Sequence, residues 1–222
     1  MTKEERTAKQ EKRLIEMSEF ERGARAAGHV YIGGCDEAGR GPLAGPVVAA
    51  CVVLPEDFHV LGVDDSKKLS PKRRDELFEQ ITSEALAVGV GSTDNRLIDE
   101  INILNATKKA FKEAVAAADI SLAGRCGSHI DFLIFDAVSI PDIAVEQISP
   151  VKGDARSVSV AAASIIAKVT RDRLMMKYDE IYPQYGFGGH KGYGTKAHYE
   201  AIKKYGITPI HRLSFLKNLD EH

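Results

Sequence analysis

The chain is predicted to be an α/β protein with a mixed β-sheet flanked by helices and a helical C-terminal region. Two apolar runs close together near the start, around Ile32 and at Val47–Leu54, are typical of an early strand pair. Strand-like and helix-like patterns then alternate as far as Ile148, and only helical patterns follow Ser157. No repeat, low-complexity tract or linker interrupts the 222 residues. One domain with a sizeable core is therefore expected.

The first segment, Lys3–Ala27, alternates charges of both signs around a few apolar residues. This pattern is compatible with an amphipathic helix packed on, or appended to, the main domain, and equally with a poorly ordered charged tail. We therefore treat residues 1–28 as a charged, helical N-terminal extension and residues 29–222 as a single domain.

The first two strands and the helix after them have clear boundaries. Val47–Leu54 is apolar on both faces and lies between Pro46 and Pro55, which predicts a buried interior strand. Ser70-Pro71 then predicts the start of a helix, because serine is a good N-cap and proline suits the first turn.

The remaining elements follow in order. Ala87–Thr93 reads as a strand, and Asp94–Ala118 reads as a helical region broken near Asn102. A strand is predicted at His129–Phe135 and another at Ala144–Ile148. Two helices are predicted to close the chain, at Ser157–Ile181 and Thr195–Tyr205.

The most informative motif is Asp36-Glu37-Ala38-Gly39-Arg40-Gly41, directly after the first apolar run. Adjacent carboxylates repel each other, so their position at a buried strand end indicates a cation site. The glycine-flanked arginine offers backbone amides and a guanidinium, which suit hydroxyl and phosphate oxygens. The alternative is a solvated turn rich in glycine and charge.

Two further acids strengthen the metal-site interpretation. Asp136 ends the predicted strand at Phe135, and Asp154 shortly precedes the long helix. Carboxylates at strand ends and helix starts can converge where a sheet brings strand termini together. Four such acids suit two hard ions, Mg²⁺ or Mn²⁺. The alternative is that Asp154 caps the helix and Asp136 is a turn residue.

Two cofactor classes are disfavoured. The glycine spacing from Gly39 to Gly45 is one residue too long for a dinucleotide-binding turn, and a strand follows it. The glycine-rich run Gly186–Gly194 lacks the Lys-Ser/Thr pair of a nucleotide-binding P-loop.

Overall charge does not decide the question of nucleic-acid binding. The net charge is −2 and the pI is about 6.4, without the basic excess of many nucleic-acid binders. Basic clusters could form a phosphate-tracking stripe or be solvated helix faces. They are Lys67-Lys68, Lys72-Arg73-Arg74, Lys191 with Lys196, and Lys203-Lys204.

The cysteines and the N-terminus indicate the compartment. Cys35, Cys51 and Cys126 have no metal-ligand spacing, and the first two lie in apolar surroundings typical of core packing. The N-terminus is charged, and no apolar run approaches membrane-spanning length. We expect a reducing, cytoplasmic location and no membrane association.

The chain resembles the type 2 ribonucleases H, and within them bacterial ribonuclease HII. The resemblance extends from Tyr31 to about Phe215 and is carried by specific motifs. They are Cys35–Val47 (CDEAGRGPLAGPV), Asp65–Leu69 (DSKKL), Gly153-Asp154, Ala161–Asp172 (AAASIIAKVTRD), His190–Thr195 (HKGYGT) and His211–Phe215 (HRLSF). The resemblance implies a ribonuclease H-like fold and a catalytic domain at residues 29–222.

The resemblance also implies the site residues. The four metal-binding, catalytic carboxylates fall on Asp36, Glu37, Asp136 and Asp154. The ribonucleotide-reading tripeptide falls on Gly39-Arg40-Gly41, and the substrate-stacking tyrosine on Tyr193. Lys67 and Lys191 are candidate substrate contacts from the basic clusters. His190 or His211 could assist peripherally.

The implied activity is hydrolysis of the RNA strand of RNA/DNA hybrids and nicking 5′ of single ribonucleotides in duplex DNA. Two ions, with Asp36 bridging them, would support in-line attack by water and leave 3′-hydroxyl and 5′-phosphate ends. Only the 2′-hydroxyl distinguishes RNA from DNA sugars. We expect Mg²⁺ or Mn²⁺ as cofactor and a monomer with no assigned protein partner.

Three alternatives remain at this point. Ribonuclease HIII usually carries an additional N-terminal domain and a glutamate at the fourth metal position, which is Asp154 here. A catalytically silent nucleic-acid-binding module would not need the carboxylates. A nucleotide-dependent oxidoreductase is disfavoured by the glycine spacing.

Overall fold

The structure is a computed structural model that describes residues 2–136 and 138–216. One mixed five-stranded sheet, in the order β3-β2-β1-β4-β5, lies between helices. The strands are β1 (Ile32–Ala38), β2 (Val47–Val53), β3 (Ala87–Thr93), β4 (Phe132–Phe135) and β5 (Glu146–Ile148). The helices are α1 (Lys3–Met17), α2 (Glu19–Ala26), α3 (Pro71–Glu84), α4 (Asn95–Cys126), α5 (Val158–Ile181), α6 (Phe187–His190) and α7 (Lys196–Tyr205). The predicted α/β class, mixed sheet and helical C-terminal region are confirmed.

The central strand β1 joins two kinds of pairing. It runs antiparallel to β2, with Cys35 opposite Cys51, and parallel to β4, with Cys35 opposite Phe135. The antiparallel pair needs only the short connection Gly39–Pro46, whereas the parallel pair is reached after β3 and α4. The early strand pair of the prediction is therefore the β1–β2 hairpin.

Each face of the sheet is covered by one long helix. Successive strand residues point to opposite faces, so Cys51 packs with Phe111 of α4 while Val52 packs with Ile166 of α5. All seven residues of β2 are buried, as expected for an apolar strand covered on both sides. Cys35 and Cys51 are unpaired core residues.

Several predicted boundaries differ from the structure. β1 continues through Asp36 and Glu37, so the two acids are strand residues and do not follow the strand. β4 begins at Phe132, since Asp131 instead accepts bonds from the N–H groups of Val30 and Tyr31. β5 is correspondingly shorter than predicted, and α6 lies unpredicted in the glycine-rich run.

The helix α4 extends beyond its predicted end, to Cys126, where Gly127 adopts a left-handed conformation and ends it. The predicted break is present, because Asn102 has φ +66° and its side chain accepts a bond from the N–H of Asn105. None of the described helices is both long enough and apolar enough to cross a membrane.

The N-terminal segment forms α1 and α2 and packs on the domain. Met17 is fully buried in the cluster that contains Val52 and Leu77. Buried Glu21 accepts bonds from the hydroxyl groups of Ser157 and Ser159, at 2.5 and 2.6 Å, at the start of α5. Of the two interpretations, the structure therefore has the packed helix.

Gly34 sets the close approach of β1 to α5, and Gly34→Ala is expected to lower the unfolding free energy by about 3 kcal/mol. An added Cβ would lie 2.2 Å from the carbonyl carbon of Ser159 and 2.4 Å from the backbone nitrogen of Val160. Urea unfolding measures the effect. The control is Gly23→Ala in α2, where nothing lies within 4 Å and alanine favours the helix. Equal stability of the two variants would contradict the tight β1–α5 contact.

Candidate active site

Two of the predicted acids lie at the C-terminal end of the central strand. Asp36 is 7% exposed and shares a strand face with Gly34, the face covered by α5. Glu37 points to the opposite face, and its side chain is 13% exposed. The two adjacent carboxylates therefore lie at the same end of β1 but on opposite faces of the sheet.

The other two acids are brought to this edge by the strand order. Because β4 is parallel to β1, Asp136 follows it beside Asp36, and its N–H donates to the carbonyl of Cys35 at 3.2 Å. Asp136 Oδ1 accepts a 2.7 Å bond from the N–H of Gly153. That bond holds the short 3₁₀ turn Gly153–Ala155, which carries buried Asp154.

The alternative role of Asp154 as a helix cap does not apply. Ser157 is the N-cap of α5, and its hydroxyl accepts a bond from the N–H of Val160. Asp136 is a turn residue in position, but its carboxylate anchors the Asp154 turn. Both acids are thus free of a capping role and lie next to Asp36.

Mutual repulsion and burial mark these carboxylates as a strained group. Burial, with the nearby charges of Glu37, Asp136 and Asp154, raises the pKa of Asp36 well above its usual range. Burial also raises the pKa of Glu37, against the effect of Arg40. Burial and then Asp136 and Asp65 raise the pKa of Asp154, against the effect of Lys67. A divalent cation would relieve this repulsion.

The donor chemistry of the group fits a hard divalent cation, since every ligand offered is a carboxylate oxygen. Within residues 2–136 and 138–216, no three His, Cys, Asp or Glu side chains are already placed together as a metal-ligand group. The four carboxylates therefore lie at one edge of the sheet and repel each other, without forming a closed ligand shell.

Two cations border the acidic edge. Lys67 Nζ lies 3.5 Å from Asp154 Oδ2, with 79% of its side chain exposed. Partial burial acts to lower the pKa of Lys67, but the charges of Asp154, Asp65 and Asp36 raise it overall. Arg40 Nη1 lies 3.4 Å from Glu37 Oε1. Both cations can therefore reach an anion bound at the acids.

Asp36→Asn is expected to stabilise the metal-free protein by about 1–3 kcal/mol at pH 8. Ionised Asp36 opposes folding in full above its raised pKa, and this penalty shrinks as the pH falls below that pKa and is gone below the ordinary pKa of an aspartate. The gain should therefore shrink towards pH 5. Urea unfolding in EDTA at both pH values measures it.

The control for this prediction is Asp142→Asn. Asp142 is exposed, and its ion pair with Lys112 lowers its pKa, so its replacement should bring no gain. Lower stability of Asp36→Asn than of the wild type at pH 8 would contradict the repulsion argument.

The predicted reading loop, Gly39-Arg40-Gly41, begins one residue after β1. Gly39 is buried, whereas Arg40 and Gly41 are exposed. Fully buried Arg212 holds this loop from inside, donating from Nη2 to the carbonyl of Gly39 at 2.6 Å and from Nη1 to that of Arg40 at 2.8 Å. The exposed part of the loop thus rests on a buried guanidinium.

Tyr193 lies beside the reading loop although 152 positions separate it from Gly41. A Cβ on Gly41 would lie 3.7 Å from Tyr193 Cε1, and the ring is 46% exposed. The N–H of Leu43 donates to the carbonyl of Gly192 at 2.8 Å, which joins the two loops directly. Arg171 joins them again, donating to the carbonyls of Ala44 and Lys191.

A pair of buried histidines supports the Tyr193 backbone. His211 Nδ1 accepts from the N–H of Thr208 at 2.8 Å, so its proton is on Nε2, which lies 3.0 Å from His198 Nε2. His198 Nδ1 therefore donates to the carbonyl of Tyr193, at 2.9 Å. Burial lowers the pKa of both histidines to about 4, so the chain of bonds is neutral at physiological pH.

Two candidate residues are placed differently from the acids. Lys191 Nζ contacts the carbonyl of Gly188 and Met176 Sδ, so its ammonium faces α5 and α6. His190 Nε2 lies 2.8 Å from the carbonyl of Tyr185, in the support of the Tyr193 loop. His211 likewise belongs to that support.

Sequence reasoning assigned no role to Arg171, Arg212 or His198, although all three are buried and bond backbone carbonyls at the loops. A signal existed for Arg171. It falls at helical spacing with Ala167 and Met175 on the buried face of α5, where a charge needs buried partners. No comparable local pattern marks Arg212.

Comparison with known proteins agrees with this arrangement. The family model described as "Ribonuclease HII" matches residues 33–218. The chain is 57% identical over 211 residues to the "Ribonuclease HII" of Clostridioides difficile, covering 95% of this chain and 80% of that protein.

Solved structures show the same fold. The ribonuclease H2 of Pyrococcus horikoshii OT3 aligns with TM-score 0.66 and 30% identity over 86% of this chain and 98% of that one. A structure titled "Bst-RNase HIII in complex with Mn2+" aligns with TM-score 0.65 at 21% identity, over 89% of this chain and 70% of that one. The chain belongs to the ribonuclease HII family and is a metal-dependent endoribonuclease that cleaves the RNA strand of RNA/DNA hybrids.

Proposed function

We propose that the protein nicks duplex DNA on the 5′ side of a single embedded ribonucleotide, besides cutting longer RNA in hybrids, and leaves 3′-hydroxyl and 5′-phosphate ends. The observation that carries this proposal is the proximity of Gly41 to Tyr193, whose Cε1 atom would lie 3.7 Å from a Cβ added to Gly41. This proximity supports the proposal, since a glycine backbone can approach a sugar hydroxyl and an exposed ring can stack on the neighbouring sugar.

We propose that Asp36, Glu37, Asp136 and Asp154 hold two divalent ions, Mg²⁺ or Mn²⁺, with Asp36 shared between them. Such ions supply an activated water and neutralise charge on the attacking and leaving oxygens of the phosphodiester. The carboxylates support this role because their repulsion is relieved only by added positive charge.

The reading loop would act on the sugar next to the scissile phosphate. Glycine at the exposed position 41 removes the side chain that would keep a ribose away from the backbone, whereas glycine at buried position 39 lets the loop pack against Arg171. The Arg40 guanidinium, 44% exposed beside Glu37, can reach a phosphate oxygen. Lys67 would bind a phosphate at the opposite border of the acids, next to Asp154.

Tyr193 would stack on the deoxyribose neighbouring the ribonucleotide and so favour an RNA-to-DNA junction. Its ring is exposed, while its backbone is held by His198 and by the 3.0 Å bond from its N–H to the carbonyl of His190. Lys191 would contribute a more distant phosphate contact along the groove that it lines with Arg74 and Arg173.

We propose further that residues 29–222 form the catalytic domain, with residues 1–28 as an appended extension. The protein would act as a monomer in the cytoplasm on hybrids and ribonucleotide-containing DNA. The packing of Met17 on the domain supports a stabilising role for the extension.

The proposed function is tested with a DNA duplex that carries one ribonucleotide, incubated with Mg²⁺, Mn²⁺ or EDTA, followed by mapping of the product ends. A single metal-dependent nick 5′ of the ribonucleotide is expected. Cleavage restricted to longer RNA tracts would favour the specificity of ribonuclease HIII instead. Binding without cleavage would mean that the assigned catalytic site is wrong.

Gly41→Ala is expected to reduce the preference for a ribonucleotide over a deoxyribonucleotide at least about tenfold. The added methyl group would only touch Tyr193, at 3.7 Å, but it occupies the space that the sugar must enter. Mn²⁺ binding and stability should be retained. Cleavage of matched duplexes measures the preference, with Gly124→Ala as control because nothing lies within 4 Å there. Unchanged preference in Gly41→Ala would argue against this loop as the reader.

A further inference from the structure

Arg212 is an unusual buried charge. It is fully buried, and none of the salt bridges within residues 2–136 and 138–216 involves it. Its guanidinium instead donates to three backbone carbonyls, those of Gly39, Arg40 and Gly45, at 2.6, 2.8 and 2.9 Å. A buried guanidinium is costly unless its donors are satisfied, so this site fixes the direction of three peptide groups.

The directions of two of these peptide groups determine the surface of the reading loop. A trans peptide is planar, with its C=O and N–H pointing in opposite directions, and the described chain contains no cis peptide. Since the carbonyl of Gly39 points inward to Arg212, the N–H of Arg40 points outward. By the same argument, the inward carbonyl of Arg40 turns the N–H of Gly41 outward.

The two outward N–H groups have no partner within the described part of the chain. Neither the N–H of Arg40 nor that of Gly41 donates a hydrogen bond there, and both residues are exposed. Gly41 itself is close to the ring of Tyr193, since a Cβ added to it would lie 3.7 Å from Tyr193 Cε1. Two successive free N–H groups form a small site for an oxygen atom.

We propose that Arg212 is a positioning residue for ribonucleotide recognition, which keeps the N–H groups of Arg40 and Gly41 directed at an oxygen of the ribose. This inference rests on the proposed function of the loop. Arg212 lies beneath the loop and makes no contact with substrate. It acts by excluding the flipped peptide orientation, in which carbonyl oxygens would replace the two N–H donors at the surface of the loop.

Arg171 and Arg212 hold different parts of this region. The loop is tied to the Tyr193 segment by Arg171, whose Nε and Nη1 donate to the carbonyls of Pro46 and Lys191 at 2.9 and 3.0 Å. Arg171 fixes the distance between loop and ring, whereas Arg212 is the one side chain in the described part of the chain that donates to the carbonyls of Gly39 and Arg40.

The test is the ratio of dissociation constants for an all-DNA duplex and a matched duplex with one ribonucleotide, measured in EDTA. For Arg212→Lys we expect the ratio to fall about tenfold, the effect of one charge-assisted hydrogen bond, because lysine cannot hold both carbonyls. The affinity for the all-DNA duplex should stay unchanged. The matched control is Arg125→Lys, since Arg125 also donates to a backbone carbonyl, that of Ala85, away from the loop.

A purely structural role for Arg212 would lower the melting temperature and the folded fraction but leave this ratio unchanged. A folded Arg212→Lys variant with the wild-type ratio would therefore overturn the proposal and leave the proposed function intact. A wild-type protein that shows neither a preference nor a nick at the ribonucleotide would instead remove the proposed function itself.

A second measurement on the wild type covers the case in which Arg212→Lys does not fold. The backbone amide signals of Arg40 and Gly41 are followed by NMR during titration with either duplex. We expect both signals to shift with the ribonucleotide duplex and much less with the all-DNA duplex. Equal shifts with the two duplexes would overturn the inference.

Discussion

Asp36→Asn is expected to reduce cleavage by at least about 10³-fold with either Mg²⁺ or Mn²⁺, the loss of several kcal/mol of charge stabilisation. Asp36 directly precedes Glu37 in the chain, and the charges of Glu37, Asp136 and Asp154 all act on it. The amide keeps the shape of the side chain but removes the negative charge that would be shared between ions. Initial rates on an RNA/DNA hybrid measure the effect.

Two observations separate this result from unfolding. Asp36→Asn should be more stable than the wild type in EDTA, as argued above, so low activity cannot come from a lost fold. Asp142→Asn serves as control and should cleave at the wild-type rate, because its only described ion pair is with Lys112. Full metal-dependent turnover by Asp36→Asn would contradict the assignment of Asp36.

Gly39→Ala is expected to have the second largest effect, a loss of at least about 10²-fold in cleavage, because substrate-positioning groups displaced by about 1 Å lose this much. The new Cβ would lie 2.0 Å from Arg171 Nε and 2.8 Å from the carbonyl oxygen of Pro46. Gly39 also has φ +94°, a conformation that alanine avoids. Either the loop or Arg171 must move, and both movements disturb the reading site.

The matched control is Gly28→Ala. Gly28 has φ +105° and nothing within 4 Å of the added Cβ. Its alanine variant therefore has the unfavourable backbone conformation of Gly39→Ala but not its steric clash. We expect it to lose about 1–2 kcal/mol of stability and to keep its activity. Steady-state rates and urea unfolding of both variants give the comparison. Equal activity of Gly39→Ala and the wild type would show that the loop tolerates displacement.

The sequence alone shows which acids are neighbours in the chain, but not what surrounds them in the fold. Asp36 and Glu37 are adjacent in the chain, so their partnership needed no knowledge of the fold. Asp136 comes close to Asp36 because β4 pairs with β1 as well as with β5. This strand order is a property of the whole sheet and cannot be predicted from one segment. The burial that raises the pKa of Asp36 arises from tertiary packing and could not be predicted from the local sequence.

The reading loop shows the limit of local patterns more clearly. The glycines at positions 39 and 41 indicated a close approach of backbone to ligand, but not which peptide groups face outward. That orientation is set by Arg212, 173 positions after Gly39. The prediction that His211 could assist catalysis is untested by activity, while its position in the structure is in the hydrogen-bonded support of Tyr193.

The most direct test of the account is anomalous diffraction from crystals of the protein grown with Mn²⁺ and a DNA duplex that carries one ribonucleotide. We predict two manganese peaks, each within about 2.5 Å of carboxylate oxygens from the group Asp36, Glu37, Asp136 and Asp154, with Asp36 touching both. The ribose should lie against the N–H groups of Arg40 and Gly41, with Tyr193 on the next sugar. Manganese bound at other residues, or a ribonucleotide away from this loop, would contradict the account.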